Sequence, residues 1–225
     1  MCALILQLEN VLDAAQLQVA SELLKDGQFK SGKGSAGKVA VEVKKNLELD
    51  PQSKVYRPLS NLVMGALFRH PAYLYGALPL HVSAPIFSKY NVGDGYGRHL
   101  DDPVMGVERK FRTDLALTLF LNAPEQYEGG ELLIETELGE QSIKAEQGSV
   151  VIYPAGYLHQ VTKVTKGTRL VMIVWIQSLV ANSEQRALLY ELHQAKEEVD
   201  KSKAENLYER LNTSYNKLLR MWSAF

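Results

Sequence analysis

His99 and Asp101 stand one residue apart, and His159 follows Asp101 by 58 positions. In an extended chain, positions i and i+2 point to the same face, so an imidazole and a carboxylate would converge on one point. His159 comes after the turn-forming string PAGYL and opens an apolar stretch. Two neutral imidazole nitrogens and one carboxylate, with the opposite face left open, suit iron(II) and leave positions for a chelating cosubstrate and dioxygen. Each residue also has an ordinary explanation. Asp101 precedes Asp102-Pro103 and can serve as a turn or cap residue, and a histidine at a strand start is commonly structural.

Arg169 narrows the choice. It opens the apolar run RLVMIVWIQ, ten residues beyond His159. A charged head directed inward needs a partner, and a guanidinium fork suits a carboxylate held bidentately. 2-Oxoglutarate fits, with its 2-oxo acid end on the metal and its distal carboxylate on Arg169. Otherwise Arg169 meets solvent or a surface acid at a hairpin end. A two-residue loop at Lys166-Gly167 would pair Val164 with Arg169 and turn Arg169 away from His159. An odd-length loop or bulge would instead pair Lys163 with Arg169 and point both inward. The two backbones would then lie roughly 13 Å apart, a gap that a long arginine and a five-carbon diacid span. An irregular turn is therefore expected.

The elements that must position these groups change period along the chain. Asp13 can cap a helix carrying Leu17, Ala20, Leu23 and Leu24 as a stripe. Phe29 to Lys38 is rich in Gly, Ser and Lys and reads as a loop; its GKGSAGK lacks the phosphate-loop spacing. A second helix is expected from Ser60, with Pro71 ending it. From His81 to Gln177 the chain turns to short apolar segments: Ala84 to Tyr90, Leu115 to Leu121, Glu131 to Glu135, Ser149 to Tyr153, His159 to Val164 and Arg169 to Ile176. Glycine-containing turns separate them, and no helix long enough for a crossover intervenes. That argues for an antiparallel sandwich or barrel. After Asn182 two helical stripes follow: Leu188, Leu192, Ala195 and Val199, then Ala204, Tyr208, Leu211, Tyr215, Leu218 and Trp222. Short and interrupted, these read as intramolecular faces, although they leave room for a homodimer.

Composition bounds the rest. A chain of 225 residues, 46% apolar and 23% charged, can bury a full core. A net charge of -1 and scattered basic residues give no reason to expect nucleic acid or an anionic membrane. The single cysteine, Cys2, permits no internal disulfide and suits a reducing compartment. The apolar stretch at the N-terminus is too short for a signal peptide or a span, so the cytoplasm is the expected setting.

The ordered segments YNVGDGYGRHLDDPV, RTDLALTLFLN, EGGELLIE, GSVVIYPAGYLHQV, GTRLVMIVWIQS and SEQRALLYELHQA resemble the PKHD-type hydroxylases, relatives of the prolyl and lysyl hydroxylases among iron(II)/2-oxoglutarate oxygenases. The resemblance runs from about Pro79 to His193. It implies a mainly β fold with flanking α: a double-stranded β-helix (jelly roll) over 79–178, with an N-terminal supporting region over 1–78 and a C-terminal helical extension over 179–225. It also implies His99, Asp101 and His159 as iron ligands, Arg169 as the cosubstrate anchor, and L-ascorbate as reductant. Tyr90 resembles a cosubstrate-contacting tyrosine and Trp175 a pocket-lining aromatic; both also read as ordinary strand residues. Ala116 departs from the serine expected there. His70, His81 and His193 fit no ligand spacing and read as structural or exposed. The expected function is a dioxygenase hydroxylating a peptidyl prolyl, amino-acid-like or small-molecule substrate, with Ser31 to Gly37 and Asp102 to Phe111 as candidate lids. A cupin-like metalloenzyme would keep the ligands but have no use for an inward Arg169. A non-enzymatic β-sandwich module would need neither.

Overall fold

The computed structural model describes residues 5–35, 40–200 and 202–224. Cys2, with the start of the apolar N-terminal run, and Ala36 to Lys38 of the Gly-Ser-Lys stretch lie outside the described residues.

Two antiparallel sheets face one another. The larger runs in the order Leu6–Leu8, Val150–Pro154, Leu115–Phe120, Arg169–Ser178, Ile86–Tyr90, Leu47–Leu49 and Phe29–Ser31, with Pro79–Val82 pairing the far part of Arg169–Ser178. The smaller runs Gly139–Ile143, Leu132–Thr136, His159–Val161, Gly95–His99 and Lys44–Lys45. From Ile86 onward the chain alternates between them: Ile86–Tyr90 in the larger, Gly95–His99 in the smaller, Leu115–Phe120 in the larger, Leu132–Ile143 in the smaller, then Val150–Pro154, His159–Val161 and Arg169–Ser178 in turn. This is the jelly roll. Both edges of the larger sheet and one edge of the smaller come from the first 49 residues.

The apolar runs LALTLF and VVIYP are near-continuous because the larger sheet is covered on both faces. Leu115, Leu117, Leu119, Val150, Ile152, Met172 and Val174 point to the N-terminal helices and pack on Leu59, Val63 and Tyr73. Their neighbours Ala116, Phe120, Val151, Tyr153 and Val171 point the other way, into the space between the sheets. That second core carries the site.

The helix Ala14–Lys25 starts at Asp13 with the expected cap, reciprocated by Gln16 in a capping box. The next helix runs Tyr56–Leu67, a turn earlier than expected, and Pro71 opens a further helix, Pro71–Ala77. Proline suits that first position because its missing N–H would have no helical partner there. The C-terminal helices are Ser183–Glu197 and Glu205–Trp222, the former capped by Asn182. Leu192, Tyr215, Leu218 and Trp222 pack within the chain, against Leu78, Val180 and Leu189. The first stripe is displaced by one position: Leu188 is exposed, while Arg186, Leu189, His193 and Lys196 are buried. Long basic stems bury well beside aromatic rings, and an apolar count misses them.

The expected hairpin between His159 and Arg169 is absent. His159–Val161 and Arg169–Ser178 lie in different sheets, and Lys166–Gly167 pairs with Tyr127–Glu128 between them. Lys163 therefore does not pair with Arg169. Both side chains point inward because the sheets face each other.

Candidate metal centre and its pocket

His99 and His159 are Cα partners on adjacent strands of the smaller sheet, which puts both rings on one face, 4.3 Å between centroids. The strand ends at His99, and Asp101 lies just beyond it, its carboxylate still converging. The donor atoms of the three residues lie within 4.8 Å of one another. Asp101 Oδ1 is 3.9 Å from His99 Nε2, and Asp101 Oδ2 is 3.9 Å from His159 Nε2.

Hydrogen bonding fixes which nitrogen faces the centre. His99 Nδ1 meets the Gly97 carbonyl at 2.7 Å and His159 Nδ1 meets the Tyr157 carbonyl at 2.9 Å. A carbonyl only accepts, so each Nδ1 carries the proton and each Nε2 directs a lone pair inward. Tyr96 stacks on His99 at 3.6 Å and Tyr153 sets its ring edge-on to His159, so neither imidazole is free to swing.

Burial, and then the neighbouring His159, push His99 down to about 4. Burial raises Asp101, and nearby His159 partly opposes it. Asp101 Oδ2 is buried with no hydrogen-bond partner among the described residues, so it caps nothing. A buried carboxylate oxygen with no partner among the described residues, beside two imidazole Nε2 atoms, is costly without a cation and complete with one. The donor set fits iron(II), with its open face toward the pocket.

That pocket lies between the sheets. At its far side Arg169 is only 1% exposed. Its Nε and Nη1 have no hydrogen-bond partner among the described residues. The rings of Tyr90 and Phe120 flank the guanidinium at 5.1 Å and 5.6 Å. Tyr90 is the cross-strand partner of Arg169; burial, partly offset by Arg169, pushes its hydroxyl up to about 12, so it stays a donor. The hydroxyls of Tyr90 and Tyr127 are likewise buried without partners. Arg169 and Tyr90 both line the pocket, and donors of this kind suit a carboxylate.

Trp175 lines the pocket on the same strand face as Arg169 and Ile173. Its indole N–H leans toward the Asp101 carboxylate without completing a hydrogen bond. Ala116 is the cross-strand partner of both Tyr153 and Trp175. His70, His81 and His193 lie outside the cluster: His70 precedes the Pro71 helix, His81 packs on Phe111 at 4.4 Å, and His193 stacks on Tyr75 at 3.5 Å. Of the candidate lids, Asp102 to Phe111 contains a short hairpin, Val104–Met105 with Phe111–Arg112, whose Met105 reaches the pocket.

Two supports of Arg169 carry no signal of their own in the sequence. Asn122 Nδ2 donates to the Thr168 carbonyl at 2.8 Å, and its Oδ1 accepts from Leu170 N at 2.8 Å, clamping the backbone on both sides of Arg169. Asn122→Ala is expected to cost roughly 1–3 kcal/mol, read by urea unfolding. Gly130 has a φ of 70°, and a Cβ there would come within 3.0 Å of Arg169 Cδ and 3.2 Å of Tyr127 Cε2. Gly130→Ala combines backbone strain with a push on Arg169. It should cost roughly 1–3 kcal/mol in the same assay and weaken whatever Arg169 holds.

Residues 85–177, which contain all four of these side chains, match the 2OG-Fe(II) oxygenase superfamily. A PKHD-type hydroxylase from Thioalkalivibrio sulfidiphilus is 42% identical, covering 98% of this chain and 99% of its own. Another, from a Psychrobacter species, is 38% identical over 96% and 98%. The chain belongs to the PKHD-type hydroxylase family. Among solved structures, a Pseudomonas putida prolyl-4-hydroxylase aligns with a TM-score of 0.54 at 18% identity, covering 78% of this chain and 93% of its own. A Trichoplax adhaerens prolyl hydroxylase, solved with a peptide fragment, gives 0.54 at 17%, covering 82% and 86%. These share the jelly-roll fold. As a PKHD-type protein, the chain is an iron(II)- and 2-oxoglutarate-dependent dioxygenase.

Proposed function

We propose that His99, Asp101 and His159 hold iron(II), that Arg169 binds the distal carboxylate of 2-oxoglutarate with Tyr90 beside it, and that Trp175 lines the substrate side of the pocket. The reaction we assign is hydroxylation of an aliphatic C–H on a peptidyl prolyl or other amino-acid-like side chain. One observation carries this reading: a buried guanidinium with two nitrogens unpartnered among the described residues, lining the same pocket as the His-Asp-His cluster. A metalloenzyme that does not use 2-oxoglutarate has no need of it.

With iron(II) and 2-oxoglutarate bound, the site supplies an oxidant from dioxygen while the 2-oxo acid loses carbon dioxide and becomes succinate. The chain's own residues do the positioning. His99 and His159 present fixed Nε2 lone pairs, and Asp101 contributes the single negative charge. Arg169 fixes one end of the cosubstrate, so its 2-oxo acid end meets the metal in one orientation. Leu132, Val161 and Ile173 line the space between and keep it dry. Ascorbate is the reductant we propose for keeping iron ferrous. The Trichoplax protein's peptide complex supports a peptidyl substrate.

No helix among the described residues is long and apolar enough to cross a membrane, and the cytoplasm is the setting we propose. Leu192, Tyr215, Leu218 and Trp222 of the C-terminal stripes pack within the chain, while Leu188 is exposed.

Iron-loaded protein given 2-oxoglutarate and oxygen, with prolyl peptides added, should release succinate and carbon dioxide in equal amounts. Asp101→Asn should release neither. Wild-type protein that holds iron yet yields no succinate would contradict the assignment.

A further inference from the structure

One charged cluster in the pocket wall has no part in the chemistry above. Lys44 and Glu48 are 6% and 9% exposed. Lys44 Nζ donates to Glu48 Oε1 at 2.6 Å and to Ser35 Oγ at 2.6 Å, and Ser35 Oγ donates to Glu48 Oε1 at 2.6 Å. Lys44 pairs with Tyr96 in the smaller sheet and Glu48 with Ser88 in the larger. The chain thus steps from one sheet to the other within four residues, and the ion pair closes that corner. All three side chains line the metal pocket. Ser35 and Glu48, with Ile86, Met105 and Trp175, also line a wider groove outside it. A substrate moving from groove to metal passes this cluster.

The pair is not fully used by the protein. An ammonium has three donors and a carboxylate two oxygens. The third Lys44 donor and Glu48 Oε2 make no hydrogen bond among the described residues. Their charges cancel, so the ion pair keeps one donor, with Nζ also 5.1 Å from the Tyr96 ring centroid, and one acceptor without a hydrogen bond. A substrate carboxylate approaching Lys44 meets Glu48, and a substrate ammonium approaching Glu48 meets Lys44. A group with an adjacent C=O and N–H satisfies both without disturbing the pair.

We infer that Lys44 and Glu48 are specificity-determining residues that take an uncharged amide of the primary substrate and reject free acids and free amines, with the aliphatic part to be oxidised lying against Ile86, Met105 and Trp175. The inference rests on the function proposed above. The same ion pair could serve only as a staple between the sheets, and the two roles part in their consequences.

The test uses iron-loaded protein with 2-oxoglutarate, kept free of oxygen, and three probes sharing one side chain: N-acetylproline methylamide, N-acetylproline and proline methylamide. Binding is read by saturation-transfer NMR. The neutral probe should bind at least about tenfold more tightly than either charged one. Glu48→Gln leaves Lys44 unpaired and should move the preference about tenfold toward the acid; Lys44→Met should move it equally toward the amine. Each variant's fold is checked by its melting temperature. A staple alone predicts lowered melting temperatures with no change of preference. Charged probes binding wild type as well as the neutral one, or no probe binding, would overturn the inference. Titrating 2-oxoglutarate into the same samples separates the two failures: absence of its binding would count against the proposed function instead.

Discussion

Arg169→Met should raise the 2-oxoglutarate concentration needed for half-saturation by about a hundredfold to a thousandfold while leaving iron binding intact. The variant keeps the aliphatic stem and removes the guanidinium, so the cosubstrate loses charge-assisted hydrogen bonds at a site only 1% exposed. Truncating one side of a buried charge pair costs roughly 2–5 kcal/mol, and about 1.4 kcal/mol is a factor of ten. The sign of the stability change is equally informative. Without cosubstrate, Nε and Nη1 are buried with no partner among the described residues, so exchanging them for an apolar side chain should leave the melting temperature unchanged or raise it. Added 2-oxoglutarate should stabilise wild type and leave the variant almost unmoved. An arginine kept for structure would give the opposite pattern, a large loss of stability in the free protein.

Asp101→Asn should lower iron(II) affinity by about three orders of magnitude and abolish turnover. Asn preserves shape but removes the charge that complements a dication; breaking a buried charge pair costs roughly 3–5 kcal/mol. Without metal the variant should be at least as stable as wild type. Burial already opposes the charge on Asp101, and Oδ2 has no partner to lose. Metal titration with melting curves on both proteins checks the two halves together. A variant that is destabilised without metal would identify Asp101 as a structural turn residue, the ordinary explanation its sequence context allows.

How much of this was legible in the sequence depends on the period of each segment. Six of the core strands announce themselves because apolar runs between glycine turns have few other uses, whereas Gly95–His99 and Gly139–Ile143 carry glycines that read as turns. The grouping of His99, Asp101 and the distant His159 was legible from side-chain type and close spacing, although the strand ends at His99 and Asp101 lies just beyond it. The relation between His159 and Arg169 was not. Strands adjacent in sequence were read as a hairpin, whereas a jelly roll sends successive strands to opposite sheets, a property of the whole topology. The strands Phe29–Ser31, Lys44–Lys45 and Leu47–Leu49 are too short to show a period. Lys44, Asn46 and Glu48 do alternate with Lys45, Leu47 and Leu49 in VKKNLEL, a faint sign of a strand with one polar face turned inward. Asn122 has no such sign, because its two hydrogen bonds reach residues 46 and 48 positions away. In the C-terminal helices the stripe slipped by one position because Arg186 and Lys196 are buried.

The most direct test of the central claim is anaerobic calorimetric titration of 2-oxoglutarate into wild type and Arg169→Met, each with and without iron(II). The predicted result is one binding event per chain in wild type that requires the metal, weakened about a hundredfold or more in Arg169→Met with the metal still bound. Binding that ignores the metal, or that Arg169→Met leaves unchanged, would contradict it.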